Sequence, residues 1–284
     1  MCGKLAAVSP VDLKRWLRSR CAEYTFDVTA AYHRLGTHDW PYELRAADAA
    51  QLEDQLAVGG HLIPLPREPA ALANVLEVSL VDFLLKAADA EHGLDRARGT
   101  ERGYPDIEFS GTALDDEHWA VDVKVARRAS TKDRLRTESR ITLYTGNTFF
   151  RFPDLKWPGT FRPFADYAGH LDVIVIYTLE ADSRRRVADL KIIVQEPWRI
   201  ASKSRSSTTR EYIGAVDLIS ALEEGKGEFA SPEAFYKFWR EFDFKLSKQV
   251  QKTLNRLNRE QRDQLERQRL ELEELRRQQG DPAT

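Results

Sequence analysis

Residues 103–128 read Gly103-Tyr104-Pro105-Asp106-Ile107-Glu108-Phe109, a polar turn over 111–117, then Trp119-Ala120-Val121-Asp122-Val123-Lys124-Val125-Ala126-Arg127-Arg128. Around Asp122 the residues alternate. Ala120, Asp122 and Lys124 fall on one side, and Val121, Val123 and Val125 on the other. Period-two alternation is the mark of a half-buried strand, because successive side chains of an extended backbone point to opposite faces. The spacing therefore predicts a strand with its valines in a core and an acid and a lysine on its other face. Pro105-Asp106 followed by Ile107 and Phe109 predicts a short neighbouring strand, which brings a second acid to the same side.

Carboxylates on a largely apolar element are unfavourable unless something positive meets them. A hard divalent cation such as Mg²⁺ suits that place, since it takes carboxylate oxygens and retains several waters. Such a cation acidifies a bound water and offsets negative charge growing on phosphate oxygens, which is the chemistry of phosphodiester hydrolysis. Lys124, two residues from Asp122, points the same way and is placed to hold a water or a phosphate. A second match to this spacing, Pro153-Asp154 with Asp189-Leu190-Lys191, has too long a gap for adjoining strands. It is read as a coincidence.

The chain has 284 residues with 31% charged side chains and a net charge of −2, ordinary for a globular protein. No apolar run is long enough to span a bilayer. Residues 1–8 are too short and too weakly apolar for a secretory signal. Cys2 and Cys21 are the only cysteines, which argues for a reducing cytoplasmic setting and against a disulfide scaffold. The six histidines show no spacing typical of a zinc site. Charge is uneven: Lys124–Arg140 carries seven basic residues against two acids, and Arg199–Arg210 carries four and no acid. Arg184-Arg185-Arg186 is a third cluster, read as a solvated loop. Local basic stretches of this kind are what phosphate contact requires.

Helix signals place Ser9-Pro10 at the start of a helix running to about Glu23, and Asp39-Trp40-Pro41 at the start of another ending near Gly59-Gly60. A third helix, from about Pro69 to Glu91 and closed by Gly93, is apolar nearly all round and so reads as buried. Glu77 lies in its middle, on the side of Ala73, Val81 and Leu84, and is paired, neutral, near a cation or simply solvated. Ile141–Tyr144 and Thr148–Phe152 read as extended. Phe161–Gly169 reads as a short helix, Leu171–Leu179 and Asp189–Gln195 as strands, and Ile200–Arg210 as a hydroxyl-rich basic loop. Helices follow over Gly214–Glu224 and from Ser231-Pro232 with an aromatic stripe. Lys245–Gln279 reads as a long charged helix.

The Pro105-Asp106 and Asp122-x-Lys124 elements are the PD-(D/E)-x-K nuclease pattern. In order along the chain, Leu76-Glu77, Tyr104-Pro105-Asp106, Val121-Asp122-Val123-Lys124, Pro163–Tyr167 with His170, Gln195–Ile200, Glu224–Gly227 and Phe235–Arg240 are similar to the EcoRV-like type II restriction endonucleases. The resemblance implies a mixed α/β fold with a central mixed sheet flanked by helices, to which the charged stretch 245–279 adds a long C-terminal helix. It covers about Leu72 to Phe242, so the chain is read as a helical region (1–68), a nuclease core (69–243) and a charged helical extension (244–284), the first and last without a clear counterpart in the family. It implies a homodimer on double-stranded DNA that makes a Mg²⁺-dependent cut at a short palindrome, leaving 5′-phosphate and 3′-hydroxyl ends. Asp106, Asp122 and Glu77 would be the metal acids and Lys124 would complete the catalytic set. DNA contacts would come from Lys203, Arg205, Ser207, Thr208, Thr209, Arg210, Asn147 and Thr148.

Family readers place an asparagine before the paired threonines. Here Ser207 precedes Thr208-Thr209, with Arg205 and Arg210 on either side. Arginine favours guanine and asparagine favours adenine, so a different recognition sequence, richer in G·C, is expected. Two other readings remain: a structure-selective or repair endonuclease of the same superfamily, and a non-catalytic DNA-binding module.

Overall fold

The structure is a computed structural model that describes residues 11–26, 47–48, 50–51, 69–100, 103–130, 134–180, 187–208 and 210–279. Its centre is a five-stranded mixed sheet in the order β1-β2-β3-β5-β6, built from β1 (Asp95–Arg98), β2 (Ile107–Ser110), β3 (Trp119–Arg127), β5 (Gly169–Leu179) and β6 (Val187–Gln195). β3 and β5 run parallel and the other neighbours antiparallel. A smaller sheet, in the order β4-β8-β7, joins β4 (Thr142–Thr145), β8 (Tyr212–Ala215) and β7 (Ala201–Arg205).

The helices divide between the two faces. On one side α1 (Leu13–Glu23) and α2 (Pro69–Ala88) cover the valine face. There Val121, Val123, Leu171, Val173 and Val175 pack with Leu17, Leu80, Leu84 and Phe109, all fully or nearly fully buried. On the other side lie the small sheet, α3 (Pro197–Ile200), α4 (Ile219–Glu224), α5 (Pro232–Glu241) and the start of α6 (Lys248–Gln279). Tyr144, Phe150, Phe164, Phe235, Trp239 and Phe244 form an aromatic core there, which Ile174, Ile176 and Ile193 of the large sheet complete. The aromatic stripe of α5 is core: Phe235 and Trp239 are buried, and Ser231 caps the helix by accepting from the Ala234 amide.

Several expectations change. The Ser9-Pro10 start lies outside the described residues; within them the helix begins at Leu13, and the Asp12 carboxylate caps it by accepting from the Arg15 amide. The helix expected from Asp39 likewise lies almost wholly outside them, as does the Arg184–Arg186 cluster. α2 ends at Ala88 and is not buried all round, since Val75, Val78, Phe83 and Leu85 keep partial exposure. Gly93 follows with φ +77°, a backbone region that favours glycine.

Thr148–Phe152 is a run of turns rather than a strand, because Phe149 and Phe150 both fold into the aromatic core. Residues 201–215 form a β-hairpin, so Gly214 is in β8 and the helix expected from there starts only at Ile219. Among the described residues no helix is long and apolar enough to cross a membrane. α6 packs through Val250, Leu254 and Leu257, then runs on with Leu265, Leu270, Leu272 and Leu275 exposed.

Candidate active site

The β2–β3 pair carries the reactive stretch. Its register sets Ile107 opposite Val121 and Glu108 opposite Ala120. Ile107, Phe109, Val121 and Val123 face the valine core. The opposite parity sends Asp106, Asp122 and Lys124 to the other side, where they line a single cleft of about 420 Å³. Glu77 of α2 lines the same cleft, as do Thr142, Leu143, Tyr144 and Thr145 of β4, with Thr148, Trp157 and Thr160. All four residues expected at the chemistry therefore meet at one place.

Asp106 is held by the backbone: its Oδ2 accepts from the Val123 amide at 2.6 Å. Burial pushes the Asp106 carboxyl up to about 8, and Asp122 adds to that push, against the opposing pull of Lys124 and the Val123 amide. Asp122 is buried and its Oδ2 pairs with the Lys124 ammonium. Burial works against the charge of Lys124, but Asp122, Asp106 and Asp172 together hold the ammonium above the usual lysine range. Glu77 is raised as well, by burial first; Lys124 lowers it and Asp122 raises it.

These carboxyl groups lack sufficient positive charge, which is the condition a divalent cation would relieve. Oxygen donors on Asp106 and Asp122 fit a hard cation that needs one or two carboxylates. Among the described residues no three acidic, histidine or cysteine side chains are gathered closely enough to hold a metal by themselves. Any ion here would rest on two protein carboxylates plus water or substrate oxygens.

The coincidental match is dispersed. Asp189 accepts from Thr178 at 3.2 Å, and Lys191 pairs with Glu223 at 2.9 Å, both away from the cleft.

Sequence reasoning missed Asp172, which lies beside Asp122 in the parallel register and is 1% exposed. It also missed the wall behind the cleft. There Tyr104 stacks on Phe149 and its hydroxyl meets His170 Nδ1 at 2.6 Å, while burial pulls His170 down to about 3. The Leu171–Leu179 run signals only a strand, so nothing in it tells which strand lies alongside.

The residues expected to read DNA sit on the β7–β8 hairpin. Lys203 and Arg205 are in β7, while Ser207, Thr208 and Arg210 are in its tip; Thr209 lies outside the described residues. Lys203 stands over Phe229, and Arg210 over Tyr212 at 5.8 Å. Arg205 pairs with Glu211 at 3.0 Å. The hairpin touches the cleft wall: Ser206 Oγ and Thr142 Oγ1 are 2.8 Å apart, and Thr142 lines the cleft. Thr148 lines the cleft too, whereas the Asn147 amide donates to the Lys245 carbonyl and is buried.

A mixed sheet flanked by helices, with paired acids and a lysine on adjacent central strands, defines a restriction-endonuclease-like fold. Residues 37–261 match the family described as restriction endonuclease EcoRV, and the chain belongs to that family. Over 204 residues, 66% of this chain and 80% of the relative, it is 19% identical to the type II restriction enzyme EcoRV of Escherichia coli.

Proposed function

We propose that the protein is a type II, Mg²⁺-dependent, site-specific endonuclease that cuts both strands of DNA at a short palindrome as a homodimer. The observation that carries this reading is the convergence of Asp106, Asp122, Lys124 and Glu77 on one cleft. Residues 69–243 form the nuclease core, to which 1–68 and 244–284 are added.

Asp106 and Asp122 hold the cation, with Glu77 as the accessory acid. When bound, the cation supplies an acidified water and charge neutralisation at the phosphate. Asp106 lines the cleft with its Oδ2 fixed by the Val123 amide. The Lys124 ammonium holds the attacking water or the scissile phosphate, leaving 5′-phosphate and 3′-hydroxyl ends. Arg205, released from Glu211, and Arg210 read guanine edges in the major groove, while Lys203, Ser207, Thr208, Thr209 and Thr148 supply further contacts; Asn147, buried and donating to the Lys245 carbonyl, is left out of that set.

Incubating the full chain with plasmids of diverse sequence, with and without Mg²⁺, tests this directly. Discrete fragments whose sequenced ends share a palindrome support it. Intact plasmid throughout, or nicking confined to branched and mismatched DNA, would defeat it.

A further inference from the structure

β3 and β5 are the parallel pair of the large sheet, and their register sets Asp172 directly beside Asp122. Registered neighbours project to the same face, so Asp172 stands on the side of Asp122 and Lys124 rather than among the valines. It is 1% exposed, and its Oδ2 has no hydrogen-bond partner. Its neighbour across β6 is Gln195, whose amide nitrogen already donates to the Glu223 carbonyl at 2.8 Å. The next residue on that face of β5, Ile174, is fully buried and apolar. An aliphatic side chain would suit the strand as well, so a buried unpaired carboxyl calls for a compensating role.

Lys124 supplies one. Its ammonium contacts Asp122 Oδ2, while Asp172 and Lys124 favour each other's charged form, against the burial that pushes the Asp172 carboxyl up. If Asp122 turns its oxygens to a cation, an ammonium cannot stay on the same oxygen without facing like charge. On the same face, Asp172 offers a buried carboxylate oxygen without a partner, and its charge already favours the ammonium.

We propose that Asp172 is a positioning residue for Lys124, its unpaired oxygen taking up the lysine ammonium whenever Asp122 is engaged elsewhere. The occasion for that exchange rests on the function proposed above, but the exchange itself can be tested without metal or DNA. In the full-length chain with chelator present, Asp122→Asn stands in for an engaged Asp122, and acetic anhydride labelling of Lys124, read by peptide mass spectrometry, reports whether its amine is held. Asp122→Asn alone and Asp172→Leu alone are expected to change the labelling rate by less than about twofold. The double variant is expected to raise it by at least about fivefold, since of the three carboxyl groups that hold the ammonium only Asp106, already engaged by the Val123 amide, remains.

A double variant whose labelling only multiplies the two single effects overturns the proposal. Asp172→Asn serves if the leucine variant does not fold, and loss of folding in both would assign Asp172 a purely structural part and equally overturn it. In cleavage assays Asp172→Leu is expected to lower kcat about tenfold with KM unchanged. Unaltered kcat counts against the proposal, whereas a wild-type chain that cuts no DNA sinks the function and leaves the labelling result to decide Asp172.

Discussion

The two faces of the central sheet obey opposite rules although the same strands build both. On the α1/α2 face, Val121, Val123, Leu171, Val173 and Val175 are apolar and close-packed. On the other, Asp122, His170, Asp172 and Gln195 are all under 9% exposed yet polar. The first face holds the fold together. The second accepts buried carboxyl groups that burial and mutual repulsion disfavour, which is how a strained, chemically useful site differs from a core.

The contrast is broken most severely at Asp122. Asp122→Ala is expected to reduce DNA cleavage by about a thousandfold or more while stability stays within about 1 kcal/mol, as judged by plasmid digestion beside thermal melting. The mirror-image substitution is Val173→Ala, which should destabilise the protein by about 2–3 kcal/mol in urea titration and leave cleavage at low temperature near normal.

A third test uses pH. The folded-state pKa of Asp106 lies at about 8, above the ordinary carboxylate value, so the folded protein binds the extra proton. Stability without metal should then be greatest below about pH 4 for this group and fall by on the order of 1–2 kcal/mol as pH rises to about 8. Melting curves across that window should show the slope, Asp106→Asn should flatten it, and Mg²⁺ should stabilise more at pH 8 than at pH 6. The smallest effect is expected at Glu77, where Gln should lower kcat about fivefold, roughly 1 kcal/mol, in single-turnover assays.

The valine face was legible in the sequence because period-two alternation is a local signal. So was the meeting of Asp106, Asp122 and Lys124, which needs only two adjacent antiparallel strands. Asp172 was not legible: a lone acid in a β-branched run gives no sign of its neighbour, and the β3–β5 pairing joins segments far apart in the chain. Residues 148–152 misled because a short run rich in phenylalanine resembles a strand, whereas Phe149 and Phe150 enter the aromatic core from turns. The β7–β8 hairpin was hidden by serines and threonines, whose hydroxyls suit a loop equally well. Its strands form because Ile213 and Ala215 bury against Ile200 and Ala201 in that same core.

The β2–β3 register has a consequence for how such a chain can diverge. Residues 115–117 are exposed and lie outside both strands, so insertions or deletions there lengthen or shorten a solvated link and leave each side chain's direction intact, whereas Ala113 and Leu114 just before them are buried in the valine-face core. A single residue added within Trp119–Arg127 would instead invert odd and even positions, driving the acid and the lysine into the hydrocarbon interior and presenting valines to the substrate. Relatives are thus free to vary the distance between the two halves of the motif but not the parity of the strand that bears the second half.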